Sequence, residues 1–71
     1  MPLENLAKKT REARGMAHNV NLGVLRHYIK TTSEERLVEE IGKFKDTSLL
    51  RTLWEAGLSS RLQEVVLKRL K

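Results

Sequence analysis

Between Asp46 and Leu70 the chain reads DTSLLRTLWEAGLSSRLQEVVLKRL, and Gly57 stands there between two apolar stripes of helical period. Leu49, Leu50, Leu53, Trp54 and Ala56 recur at three-and-four spacing before it; Leu62, Val65, Val66 and Leu70 do so after it. Glycine enters the left-handed backbone that commonly ends a helix without the clash a Cβ brings, so Gly57 is the expected stop of the first helix. Asp46 or Ser48 can cap the start of that helix, and Ser59 or Ser60 the start of the next. Ser60 with Gln63 has the spacing of a capping box. So short a join makes the two helices return antiparallel or cross steeply.

Upstream the same period persists. Pro2 sits where a first helical turn tolerates proline, and Leu3, Leu6, Ala7 and Ala13 form a thin stripe behind Glu4, Lys8, Lys9, Arg11 and Glu12. This first helix, expected to stop at Gly15, has the smallest apolar face, and residues 1–15 are the part expected to pack least well. Two asparagines between Met16 and Asn21 are candidate caps for a second helix. Its face is Leu22, Val24, Leu25, Tyr28 and Ile29, opposite Arg26, His27 and Lys30, with Gly23 weakening it by about 1 kcal/mol relative to alanine. Thr31, Thr32 and Ser33 then offer caps, Thr32 with Glu35 at capping-box spacing, for a third helix. Leu37, Val38, Ile41 and Phe44 are its stripe, while Glu39, Glu40 and Lys43 are expected to face water. Nowhere do apolar and polar residues alternate over four to eight positions with the β-branched enrichment of a strand. The expected fold is all-α: one domain, residues 1–71, a small bundle of four to five short helices ending in an antiparallel helical hairpin.

A chain of 71 residues buries a smaller fraction of its surface than a larger one, and no cysteine is present to staple it. Helix packing or self-association has to supply the stability. Absence of cysteine fits a reducing compartment. No apolar run approaches the roughly 20 residues of a membrane span, and residues 1–15 carry six charges where a signal peptide needs an apolar core. A soluble, cytoplasmic protein with no membrane contact is therefore expected. The net charge of +5 suits an anionic partner, or simply keeps a small protein dissolved. Residues 1–30 hold six Lys/Arg against two Glu. Lys8, Lys9, Arg11, Arg14, Arg26 and Lys30 are accordingly the candidate contacts to nucleic-acid phosphates, without base specificity and without an aromatic stacking platform, since Tyr28 belongs to an apolar face.

Catalytic constellations are scarce. His18 and His27 are nine residues apart, have no cysteine to join them and match no metal-ligand spacing. Glu34, Glu35, Glu39 and Glu40 read as a capping and solvated face, because a tuned acid–base pair needs a pocket that so small a core can hardly spare. Ser59 and Ser60 lack a base and serve as caps. No glycine-rich phosphate loop exists, so no enzyme, cofactor, metal or small-molecule substrate is expected. The apolar surplus lies elsewhere. Leu49, Leu53 and Ala56 point one way and Leu50 and Trp54 another, and Leu67 lies off the stripe of its own helix. Trp54 is explained first as core; the alternative makes Leu50, Trp54 and Leu67 a surface for a protein partner or a second copy of the chain.

Ile41, Phe44, Asp46, Leu49-Leu50, Leu53, Ala56, Leu58, Val65-Val66 and Leu70 together resemble a HEAT-type helical repeat unit over residues 41–70. That resemblance implies a protein-interaction scaffold without catalysis, although a solenoid needs about three repeats and no second copy stands upstream. Leu53, Glu55-Ala56 and Gly57-Leu58-Ser59 resemble, more superficially, a DNA-binding helix-turn-helix. This would set Ser60, Arg61, Glu64 and Lys68 in a major groove, but Gln63 occupies a position that motif keeps apolar. The expected function is that of a small non-enzymatic interaction module, with nucleic-acid binding as the alternative.

Overall fold

Five α-helices and one 3-10 turn account for nearly all of the chain: α1 Pro2–Glu12, α2 Met16–Thr31, α3 Glu34–Gly42, the 3-10 turn Thr47–Leu49, α4 Leu50–Ala56 and α5 Ser60–Leu70. The computed structural model describes residues 2–71, with side chains from Leu3 onward, and no strand occurs among them. The protein is an all-α bundle. Its radius of gyration of 11.1 Å is that of a close-packed chain of this length, for which size scaling gives about 11 Å.

One core joins every helix. Leu3 and Ala7 of α1, Leu25 of α2, Leu37 and Ile41 of α3, Leu50, Leu53 and Ala56 of α4, and Leu62 and Val66 of α5 are buried together with Phe44 and Leu49 from the link between α3 and α4. Although its stripe is thin, α1 is packed as deeply as any other element, and α2 is its most extensive partner. Small Ala7 lets the helices approach, and Thr10, also fully buried, satisfies its hydroxyl by donating to the Leu6 carbonyl at 2.8 Å. Glu4 Oε2 accepts from the backbone N–H groups of Lys45 and Asp46 at 3.0 and 3.1 Å, which fixes α1 to the α3–α4 link.

Helix boundaries follow their caps. Ser33, not Thr32, caps α3, its hydroxyl accepting from Arg36 N–H, and Ser59, not Ser60, caps α5, accepting from Leu62 N–H. The capping boxes Thr32–Glu35 and Ser60–Gln63 therefore do not form, each true cap being offset by one residue. Asp46 caps the 3-10 turn by accepting from Ser48 N–H. The Ser48 hydroxyl, that N–H and nearby Arg11 favour its charged form, which holds the carboxyl below its ordinary range. Gly57 ends α4 at φ 104° and Gly15 precedes α2 at φ 59°, both in the positive-φ region that favours glycine. Neither asparagine caps α2. The helix begins earlier, at Met16, with the Gly15 carbonyl accepting from His18 and Asn19, and Asn21 bonds back to Ala17 within it. Across the Gly57–Ser59 link, α5 packs mainly on α3, while α4 lies against α2, α1 and the 3-10 turn.

Candidate interaction surface

Beginning α2 at Met16 gives it 16 residues, and so long a helix in so small a bundle has an inner and an outer side. Leu25 is buried, and Leu22, Tyr28 and Ile29 pack against the core beside it. On the opposite side Met16 is 83%, Val20 65% and Val24 49% exposed. These three stand at four-residue intervals, forming one ridge along the helix, with Gly23 and His27 exposed beside them. Val24, expected in the core face, belongs to this outer ridge. Sequence reading missed the ridge because it started the helix too late: once Gly15 is the boundary, the spacing of Met16, Val20 and Val24 is plain. The helix contains no carboxylate, and its Lys and Arg residues, Arg26 and Lys30, lie in its second half.

The three residues assigned to a partner surface separate. Leu50 is completely buried: the 3-10 turn tightens the chain so that Leu49 and Leu50 both face the core, and a side chain without exposure cannot meet a partner unless the fold opens. Trp54 is 39% and Leu67 50% exposed, and Leu70 at the end of α5 is also exposed. Trp54 is thus neither the core residue of the simpler expectation nor fully presented.

The six basic candidates divide as well. Arg11 donates to Ser48 Oγ at 2.6 Å and pairs with Asp46 at 3.5 Å, and Arg26 Nε donates to the Ala56 carbonyl at 3.0 Å. Arg14 reaches the Arg11 carbonyl at 3.3 Å. Lys8, Lys9 and Lys30 are exposed. Arg11, Arg14 and Arg26 are exposed as well, and of these Arg11 and Arg26 also fasten one part of the bundle to another.

Two polar groups sit deeper than the sequence suggests. Glu40, expected in water, is buried; the Tyr28 hydroxyl donates to its Oε2 at 2.9 Å, and its Oε1 has no hydrogen-bond partner. Burial first, then the bond to Glu40 and its negative charge, push the Tyr28 phenol above its ordinary range. The pair ties the end of α2 to α3. An i+3 offset from Leu37 puts Glu40 on the inner edge of its helix, a position the charge pattern alone had turned outward. His18 is half-buried, with Nδ1 2.9 Å from the Thr10 carbonyl and Nε2 3.3 Å from Glu55 Oε1, so it bridges α1, α2 and α4, whereas His27 is exposed. Of the remaining carboxylates, Glu39 pairs with Lys43 at 3.0 Å and Glu34 accepts from Ser59 at 3.3 Å. Among the described residues no group of three or more His, Asp or Glu side chains is placed to hold a metal ion, and no helix is long and apolar enough to cross a membrane. Comparison with protein-family models, with curated proteins and with solved structures finds no match in any of the three.

Proposed function

We propose that this protein is a small non-enzymatic interaction module that holds a protein surface through exposed apolar side chains: Met16, Val20 and Val24 on α2, with Trp54 and Leu67 on the C-terminal helices. The outer ridge of α2 carries the proposal. Large apolar side chains scattered singly on a surface need no explanation, but three in register on one helix face, with no charge among them, mark a surface that gains by being covered. The role is the one that the HEAT-like spacing of residues 41–70 implies, reached here through a different helix. Its polar groups support the same view, since Glu40, His18, Arg11 and Arg26 hold helices together.

The test is chemical cross-linking and affinity capture with wild-type protein, Val20→Glu, Trp54→Glu and Lys8→Glu/Lys9→Glu, each first checked for unchanged helix content by circular dichroism. The proposal expects a protein adduct that one of the apolar-face variants loses and the lysine variant retains. An adduct indifferent to both apolar-face variants would contradict it. Nucleic-acid binding is the second reading, supported by the net charge of +5 and the exposed Lys8, Lys9 and Lys30. It expects retention of mixed DNA or RNA at about 50 mM salt that falls steeply as salt rises and is lost in Lys8→Glu/Lys9→Glu.

A further inference from the structure

We draw no further inference here: the strongest candidate, the unpartnered apolar side of α2 that carries Met16, Val20 and Val24, belongs to the surface already described, and nothing in the structure shows what covers it.

Discussion

Helices α1 and α2 form the most extensive helix pair in the molecule, and they present opposite problems. On α1 the apolar stripe is narrow, but the outward-facing side chains among its described residues are all polar or charged: Asn5, Lys8, Lys9, Arg11 and Glu12. On α2 the inner side is well covered around Leu25, but the outer side carries Met16, Val20, Gly23 and Val24. Apolar content therefore does not predict how completely a helix is accommodated. The outward face of α1 is specified for water by its charges, whereas nothing on the outer ridge of α2 favours water over another surface.

The largest expected effect tests the inner side of α2. Leu25→Ala, at a fully buried position, should lower the stability measured by urea unfolding by about 2–5 kcal/mol, a large share of what so short a chain holds. If it costs less than about 1 kcal/mol, α2 is not seated as described. Tyr28→Phe comes next, because it leaves buried Glu40 without its one donor. A loss of about 1–3 kcal/mol is expected. The pH dependence has a definite sign. A phenol raised above 10.0 in the fold favours its protonated form there, so its contribution is complete below that value and is lost as the pH rises through the raised value. Thermal midpoints of wild type should fall above about pH 10, and Tyr28→Phe should lose that part of the decline. Ser59→Ala, which removes the cap of α5, should cost about 1 kcal/mol by the same unfolding assay. The smallest effect belongs to the outer ridge: Val20→Ser should change dilute-monomer stability by no more than about 0.5 kcal/mol. A larger loss would mean that the ridge is part of the core after all, and the contrast between the two helices would disappear.

How far the sequence could be read follows the same division. Periodicity located the helices, because the stripes around Leu37, Leu53 and Leu62 are wide and bounded by glycine or serine. It did not locate the ends to the residue: Thr32 and Ser33, or Ser59 and Ser60, are chemically equivalent caps, and tertiary packing chooses between them. Stripe width misjudged α1, since Ala7 and Thr10 add little apolar surface yet fit a tight crossing. Glu40 was turned outward by its charge, because the Tyr28 hydroxyl that accompanies it inside is twelve residues away. Leu50 and Val24 exchanged roles for local reasons, a 3-10 turn in one case and an early helix start in the other. A surplus of apolar surface was visible in the composition of these helices; on which helix it would remain uncovered depended on which neighbours each one found.

The contrast between α1 and α2 is tested most directly by adding a soluble paramagnetic agent to dilute protein and following its side-chain methyl resonances. Broadening at Met16, Val20 and Val24, with Leu3, Ala7 and Leu25 spared, is the expected result. Val20 and Val24 spared as fully as Leu25 would contradict the account.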